Sequence, residues 1–268
     1  MMGSDAKADR EAERLRYDRA GANELRAASI GDLPLGGEDL APEFRKPYEV
    51  FDYFLGQAID SYSRVLELGA GGGRHTVALI EAGGLVLALD VSELSLRACR
   101  IRTRGGALPV VGSIEELPLA DQSVDVVVSA GSLSYGEPDL VDAEIFRVLR
   151  SGGSLVIVDS LNHNPIYRMN RWLHFRRGER TKSTLIRMPT LDRMRLLARE
   201  FEDVQVYFHG SYLALQPVLR RALGERRSLA VNDALEMRFG SRRNAFKFVM
   251  YGRGFRGSPA ARRIAVNN

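Results

Sequence analysis

The sequence contains 268 residues, of which 45% are hydrophobic, and a single cysteine, Cys99. This hydrophobic fraction supports a packed core and excludes a wholly disordered chain, and one cysteine excludes internal disulfides and cysteine-rich zinc sites. No run of 18 apolar residues occurs, so no transmembrane helix is expected. The charged N-terminal stretch lacks the apolar segment of a secretory signal, and we therefore expect a cytoplasmic location.

The net charge of +4 conceals an uneven distribution along the chain. Residues 1–160 contain 16 basic and 26 acidic side chains, whereas residues 161–268 contain 22 basic and 8 acidic ones. Only four of the 38 basic residues are lysines, and the planar fork of arginine suits carboxylate or phosphate groups. The basic half is therefore a candidate surface for an anionic partner, although a compositional bias toward arginine explains the same numbers equally well.

Short apolar segments alternate with helical segments through the middle of the chain. Two helices are predicted first, at 5–28 and 47–62, on either side of a loop rich in glycine and proline. Strands follow at 64–68, 85–90, 107–111, 124–129 and 154–159, and helices at 74–82, 93–104 and 139–150. The strands are continuous apolar runs, which are typical of parallel strands covered by helices on both faces. This alternation predicts a doubly wound α/β sheet.

The regular alternation ends after Asp159. The remaining predicted elements are a helix at 191–201, a strand at 204–208, two helices within 212–240 and a strand at 245–251. The last two strands complete a seven-stranded, mostly parallel sheet. We interpret 161–189 and 212–240 as helical insertions after strands 5 and 6 of one domain, 63–268, which a helical cap at 1–62 precedes.

A glycine-rich loop follows the first strand and reads Glu67-Leu68-Gly69-Ala70-Gly71-Gly72-Gly73-Arg74. Glycine allows the backbone to turn sharply and to approach a ligand closely. The dinucleotide pattern G-x-G-x-x-G fails because Arg74 occupies the position of its third glycine, whereas E-x-G-x-G-x-G fits from Glu67. The second strand ends in Asp90, where an acid can accept both hydroxyls of a ribose. The pattern therefore predicts a nucleoside cofactor whose other end is not a pyrophosphate.

Four motifs, in order and at suitable distances, resemble those of the class I S-adenosylmethionine-dependent methyltransferases, and most closely the small-molecule group. They are VLELGAGGGRHTVAL at 65–79, LALDVS at 87–92, GSIEELPLADQSVDVVVS at 112–129 and EIFRVLRSGGSLVIVDS at 144–160. The resemblance implies a Rossmann-like fold, S-adenosylmethionine as the cofactor and methyl transfer as the activity.

The resemblance also implies roles for individual residues. Glu67 would orient the glycine loop and lie near the amino group of the cofactor. Asp90 would hold the ribose hydroxyls, and Val91 would pack on the adenine. The methionine part and the ribose would be wrapped by Gly69, Ala70, Gly71 and Gly73.

Three further segments are assigned by the same resemblance. Ser113, next to Ile114, stands where relatives usually place an aspartate against the adenine amino group; a serine hydroxyl can still form a hydrogen bond there. Ser129 and Ala130, after the fourth strand, would face the methyl-bearing sulfur. Tyr17 lies in a segment similar to the N-terminal helix that caps the cofactor.

Candidates for acceptor binding follow from position. Loops at the carboxyl ends of parallel strands form the ligand crevice, so His163, just after the fifth strand, is the candidate general base. A polar turn residue beside Pro165 is the competing interpretation of His163. Residues expected to bind substrate are Tyr135, Tyr167, Arg171 and His174.

The segment 165–187 carries seven basic residues with aromatic residues interleaved. It is interpreted as a lid whose arginines bind phosphate or carboxylate on an acceptor, as an interfacial helix on anionic lipid, or as a solvated helix packed on the sheet. A nucleic-acid partner is disfavoured, because the segment after the fourth strand reads Ser129-Ala130-Gly131-Ser132 and not the N/D-P-P-Y/F of many nucleic-acid methyltransferases.

The leading hypothesis is a methyltransferase that acts on a hydroxyl or amine of a small or medium-sized acceptor. A sugar, a glycolipid intermediate or a secondary metabolite fits, and a negatively charged acceptor is included. Two alternatives stay open: a cofactor-binding regulatory or scaffold protein without turnover, and a methyltransferase acting on RNA or at a membrane surface. No metal site is predicted, and the sequence does not indicate an oligomeric state.

Overall fold

The computed structural model describes residues 15, 17–27, 40–176, 184 and 186–257. The described residues form one seven-stranded sheet in the order β3-β2-β1-β4-β5-β7-β6. Strand β7 is antiparallel to both of its neighbours, and the other pairs are parallel. The strands are β1 (Arg64–Leu68), β2 (Leu85–Asp90), β3 (Ala107–Val111), β4 (Val124–Ala130), β5 (Leu149–Ser160), β6 (Phe201–His209) and β7 (Lys247–Phe255). The prediction of a doubly wound, mostly parallel sheet is confirmed.

Helices lie on both faces of the sheet and at its edge. They are α1 (17–27), α2 (Lys46–Ala58), α3 (Thr76–Glu81), α4 (Glu93–Arg102), α5 (Pro138–Val148), α6 (Pro165–Arg176), α7 (Leu191–Ala198), α8 (Gln216–Leu223) and α9 (Glu225–Phe239). Short 3₁₀ turns occupy Pro42–Phe44 and Leu213–Leu215. Within the described ranges, no helix is both long enough and apolar enough to cross a bilayer.

The sheet is buried on both faces because successive side chains of a strand point to opposite sides. In β1, Val65 packs with Phe51 and Leu55 of α2, while Leu66 packs with Ile145 of α5 on the other face. Helix α2, predicted as part of the N-terminal cap, therefore shares a hydrophobic core with the strands. This burial on both faces explains why the strands are continuous apolar runs in the sequence.

Several predicted boundaries are wrong, and hydrogen bonding between strands explains those of β5, β6 and β7. Strand β5 begins at Leu149 and not at 154, because Leu149 pairs with Val124 across a register shift. The preceding helix consequently ends at Val148. Phe201, predicted to be helical, begins β6 and pairs with Phe255, so β7 also extends four residues beyond its predicted end at 251.

Ion pairs connect the basic C-terminal part of the chain to the acidic N-terminal part. Among the described residues, three join a base of the C-terminal half to an acid of the N-terminal half: Arg187–Glu137 at 3.1 Å, Arg193–Asp142 at 2.7 Å and Arg220–Glu43 at 3.2 Å. Exposed ion pairs contribute little to stability, whereas the side chains of Arg193 and Asp142 are only 7% and 18% exposed. Part of the basic charge of the C-terminal half is therefore neutralised by ion pairs within the fold, and not all of these basic residues form one surface.

Candidate functional site

The glycine loop Gly69–Gly73 follows β1 at the carboxyl edge of the sheet, and positive φ angles shape it. Gly69 and Gly73 have φ angles of 68° and 80°. A Cβ atom at Gly69 would lie 2.6 Å from Cβ of Ser132, and one at Gly73 would lie 2.7 Å from Sγ of Cys99. Both positions therefore require glycine so that the loop can pack closely on its own protein.

Gly71 differs from these two glycines in what surrounds it. Its φ angle is 53°, yet a Cβ atom there would meet no other atom within 4 Å. The amide of Gly71 donates a hydrogen bond to Oδ2 of Asp90 at 2.9 Å. The centre of the loop thus opens onto free space directly beside the carboxylate at the end of β2, as a loop that receives a ligand must.

Asp90 is 7% exposed and is held by backbone amides. Its Oδ1 accepts the amide of Ser92 at 2.9 Å, and its Oδ2 accepts the amide of Gly71. Burial raises the pKa of Asp90, while hydrogen bonds from the backbone of Ser92, Gly71 and Val91 act in the opposite direction. A carboxylate has about four lone-pair sites, so Asp90 keeps acceptor capacity for a hydroxyl group of a ligand. Val91 follows with 41% of its surface exposed.

Glu67 lies beneath the loop and is 2% exposed. Its Oε2 accepts a hydrogen bond of 2.6 Å from the hydroxyl of Thr76, at the start of α3. Burial raises the pKa of Glu67 to about 8, and the negative charge of Asp90 adds to the effect. Thr76 was missed in the sequence, where nothing distinguishes its hydroxyl from that of any other helix-start threonine.

Glu67 gives the fold a specific pH dependence. Because the pKa is raised from 4.5 to about 8 in the folded state, its stabilising contribution is complete below pH 4.5 and is lost as the pH rises to 8, by up to about 1.4 kcal/mol per pH unit. We expect Glu67→Gln to gain thermal stability relative to wild type over this range, in melting curves recorded from pH 5 to 8. A difference in melting temperature between the two proteins that stays constant across this range would refute the raised pKa of Glu67.

The segment after β4 is tied to β1 by serine hydroxyls. Ser132 donates to the carbonyl of Leu68 at 2.7 Å, so Ser129, whose Oγ lies 2.7 Å from that of Ser132, must be the donor to Ser132. Ser129 is fully buried and its hydroxyl proton is therefore engaged within the protein, while Ala130 next to it is half-buried.

The turn after β3 is also held internally. The hydroxyl of Ser113 accepts the amide of Glu115 at 3.1 Å, and this leaves the Ser113 proton available to an outside acceptor. Ile114 is 8% exposed and joins the core. The hydroxyl of Ser113 keeps a second lone pair, with which it can accept from the adenine amino group in the proposed contact.

Helix α1 lies across the glycine loop. The carboxylate of Glu24 lies directly against Gly72, and Gly21 approaches the backbone of Ser95 in α4. Asp18 accepts a hydrogen bond of 2.7 Å from the hydroxyl of Ser92. The ring of Tyr17 contacts that of Tyr135 edge to face, with 5.1 Å between centroids. These contacts bring Tyr17 and Tyr135, predicted for cofactor and for substrate, to the same rim.

The remaining predicted residues take up internal contacts. Nε2 of His163 accepts the amide of Leu191 at 2.9 Å, which uses the lone pair that a general base needs. Arg171 is buried and donates to the carbonyl of Leu161, and its guanidinium lies 5.5 Å from the Phe246 ring centroid. This geometry favours structural roles for both residues over direct contact with a substrate.

Tyr167 and His174 both belong to α6. The ring of Tyr167 stacks on Phe246 at 4.2 Å, and burial raises the pKa of its phenol. Its hydroxyl is buried and has no hydrogen-bond partner among the described residues. The side chain of His174 lies outside the described part of the chain, so its predicted contact with substrate is not placed.

A row of rings and charges, unnoticed in the sequence, extends from the glycine loop toward β7. His75, two residues after Gly73, stacks on Tyr48 with 5.2 Å between centroids. Lys247 donates to the hydroxyl of Tyr48 at 3.0 Å. Burial lowers the pKa of His75 to about 4, and nearby positive charges add to this. His75 is therefore neutral at pH 7 and connects the loop to the edge at β7.

Known proteins are similar to this chain over the same part of the fold. Residues 66–157 match the family described as "Methyltransferase domain". An uncharacterized methyltransferase of Mycobacterium tuberculosis is 40% identical over 116 residues, which are 42% of this chain and 44% of that protein. The demethylmenaquinone methyltransferase of Thermobifida fusca is 37% identical over 123 residues, which are 43% of this chain and 52% of that protein. The chain thus spans about half the length of these curated relatives.

Among solved structures, the Haemonchus contortus phospholethanolamine N-methyltransferase 2 in complex with phosphomonomethylethanolamine and S-adenosylhomocysteine is similar in fold. Its TM-score is 0.54, at 15% sequence identity, and the match covers 80% of this chain and 53% of that one. At this identity the similarity establishes the fold alone, and it agrees with the sheet order described above.

Proposed function

We propose that this chain methylates a hydroxyl or amine of a small or medium-sized acceptor. The premise is that the chain is a class I S-adenosylmethionine-dependent methyltransferase. Sugars, glycolipid intermediates and secondary metabolites carry such groups. One observation carries the proposal: the glycine loop opens at Gly71 onto free space, directly beside the buried carboxylate of Asp90.

The residues of the loop fit S-adenosylmethionine. Gly71 leaves room for a ligand against the backbone, Asp90 keeps acceptor capacity for ribose hydroxyls, and the exposed Val91 offers an apolar surface to an adenine. Glu67 lies beneath the same loop. When bound there, S-adenosylmethionine would supply an electrophilic methyl group to an oxygen or nitrogen of the acceptor, whose proton would pass to water while the electron pair of the broken carbon–sulfur bond would stay on sulfur.

The protein's own contribution is alignment and exclusion of water, which suffices for a displacement of this kind. Helix α1 lies over the loop through Asp18 and Glu24, and Tyr17 meets Tyr135 at the rim. Since the Nε2 lone pair of His163 is occupied, we assign no general base. An amine acceptor fits this arrangement well, because its lone pair attacks directly once one proton has been lost to water.

Methyl transfer is tested with S-adenosylmethionine labelled with tritium in the methyl group and a panel of amines, sugars and phenols. Label in an extracted product supports the enzyme and excludes the non-catalytic alternative. Cofactor binding without any labelled product across the panel would favour a regulatory or scaffold protein.

A second candidate function, methylation of an acceptor held at a membrane surface, is favoured by the outer face of α6. Met169 is 61% exposed and Trp172 is 47% exposed, and Ile166 and Leu173 extend the same face. The guanidinium of Arg176 lies 4.9 Å from the Trp172 ring centroid. An exposed apolar stripe with basic residues suits the headgroup layer of an anionic membrane.

For this second function, we expect Trp172→Glu to weaken co-sedimentation with phosphatidylglycerol-containing vesicles by about tenfold, because the apolar contact is lost and a repelling charge is added. Tyr62→Glu is the matched control, since Tyr62 is an exposed aromatic residue at the opposite edge of the sheet. If wild type does not bind, or if both variants lose binding equally, α6 is not a membrane contact.

A further inference from the structure

Apart from the open space at Gly71, a cavity lies at the carboxyl edge of the sheet, beyond β5. It has a volume of about 330 Å³ and is enclosed by the 3₁₀ turn Pro42–Phe44, the start of α2, the helix α9 and the adjacent ends of β6 and β7. Ligand pockets begin at about this volume. The polar side chains that line it include Glu43, Lys46, His209, Asn232, Glu236 and Lys247.

Two buried polar atoms in its wall lack partners. His209 is 9% exposed and Asn232 is 7% exposed. Within the described ranges, Nε2 of His209 and Oδ1 of Asn232 form no hydrogen bond. Leaving a buried polar atom unsatisfied costs about 1–3 kcal/mol, so two such atoms in one cavity wall indicate a missing polar ligand. Oδ1 of Asn232 can only accept, and the ligand must therefore present a donor to it.

The charge around the cavity is negative. Four acids line it, Glu43, Glu49, Asp233 and Glu236, against Lys46 and Lys247. Burial, together with the positive charge of Lys46, lowers the pKa of His209 to about 4, so the ring is neutral at pH 7.

The charges already have partners that leave the imbalance in place. Lys46 pairs with Asp233 and Arg220 pairs with Glu43, both at 3.2 Å, and Lys247 donates to the Tyr48 hydroxyl, so that Glu49 and Glu236 face one remaining lysine. Glu236 accepts from the amide and hydroxyl of Ser211 and forms no ion pair with a described residue. A phosphate or carboxylate in this cavity would meet uncompensated negative charge, whereas an ammonium or hydroxyl group would be stabilised.

The cavity lies on the same edge of the sheet as the glycine loop Gly69–Gly73, with the side chains of Lys247, Tyr48 and His75 between them. His209 lies opposite Lys247 in the sheet, and Lys247 lies opposite Ser160 at the end of β5, so both reach the edge that carries the glycine loop. Lys247, Tyr48 and His75 form a continuous row from the cavity to that loop. Three strand spacings of about 4.8 Å each separate β1, which the glycine loop follows, from β7, a span that a bound cofactor and a medium-sized acceptor can bridge together.

We propose that this cavity holds the methyl acceptor, and that the acceptor is a hydrogen-bond donor-rich molecule, an amine or a polyhydroxyl compound, without phosphate or carboxylate. The inference rests on the proposed function only in identifying the ligand as the methyl acceptor. The cavity, its unpartnered atoms and its charge do not depend on that function. It reverses the expectation, drawn from the basic half of the sequence, that the acceptor carries negative charge. Arg220, for example, is paired with Glu43.

Matched probes test the ligand class. Saturation-transfer NMR on the chain saturated with S-adenosylhomocysteine compares ethanolamine with phosphoethanolamine, and glucosamine with glucosamine 6-phosphate. We expect at least one unphosphorylated probe to bind, and to bind at least tenfold more tightly than its phosphorylated partner. Binding by none of the unphosphorylated probes, or equal or tighter binding of the phosphorylated ones, would overturn the inference.

Two variants locate the site. Asn232→Leu removes an unpartnered oxygen of the cavity wall, so the chain should remain folded while probe binding weakens at least tenfold. Gln216→Met is the control, because Oε1 of Gln216 is also buried and unpartnered among the described residues but lies outside the cavity. Wild-type probe affinity in Asn232→Leu would place the ligand elsewhere. Tritium transfer is scored separately, so that loss of the proposed activity and loss of this site are distinguishable.

Discussion

Gly71→Val is expected to weaken binding of S-adenosylhomocysteine at least tenfold, about 1.4 kcal/mol or more, while the chain stays folded. The Cβ atom of the new side chain enters open space, because a Cβ atom at Gly71 has no atom within 4 Å apart from its chain neighbours. It enters the space in which the ligand lies against the loop. Titration calorimetry of the variant and the wild type measures the loss.

The backbone strain of this substitution has its own control. A β-branched residue at a φ angle of 53° costs about 1–2 kcal/mol in stability, whatever the ligand does. Gly105 has a φ angle of 76° and an equally open Cβ position, but it lies just before β3 at the amino edge of the sheet. Gly105→Val should therefore lose similar stability and keep wild-type affinity; equal losses of affinity in both variants would refute the placement of the ligand.

Arg193→Met is expected to lower the free energy of unfolding by about 3–5 kcal/mol, the usual cost of leaving one member of a buried ion pair without its partner. Arg193 is 7% exposed and donates to both carboxylate oxygens of Asp142 and to the carbonyl of Leu133. Its removal leaves the Asp142 carboxylate without its partner and removes the hydrogen bond to Leu133, in the segment after β4. Urea unfolding followed by circular dichroism measures the change.

Arg195 on the same helix supplies the comparison. It pairs with Asp192 at 2.7 Å, but both side chains are largely exposed. Exposed pairs contribute about 0–1 kcal/mol, so Arg195→Met should unfold almost as wild type does. A loss in Arg193→Met no greater than that in Arg195→Met would show that the buried pair contributes nothing beyond a surface one.

The cofactor side of the site was predictable because its determinants are local. Glycines at alternate positions after one strand and an acid at the end of the next are sequence patterns, and the structure places the amide of Gly71 in hydrogen-bond contact with Asp90 beside open space. The strands were predictable for the same reason, since burial on both faces leaves continuous apolar runs.

The cavity proposed for the acceptor was not predictable because it depends on segments that meet only in the fold. Strand pairing brings His209 opposite Lys247, and α9 adds Asn232 to the same cavity. His163 has the right position after β5, yet its ring nitrogen caps the amide of Leu191, 28 residues away. Ion pairs such as Arg220–Glu43 likewise change the meaning of the charge distribution, because they use basic residues that the sequence suggests for a ligand.

The most direct test of the cofactor assignment is titration of the wild-type chain with S-adenosylhomocysteine and, in parallel, with NADH. Arg74 at the position of the third glycine disfavours a pyrophosphate, whereas Asp90 suits the ribose of either ligand. We expect one-to-one binding of S-adenosylhomocysteine with a dissociation constant below about 1 mM, and no binding of NADH. Binding of NADH without binding of S-adenosylhomocysteine would contradict the assignment and, with it, the proposed methyl transfer.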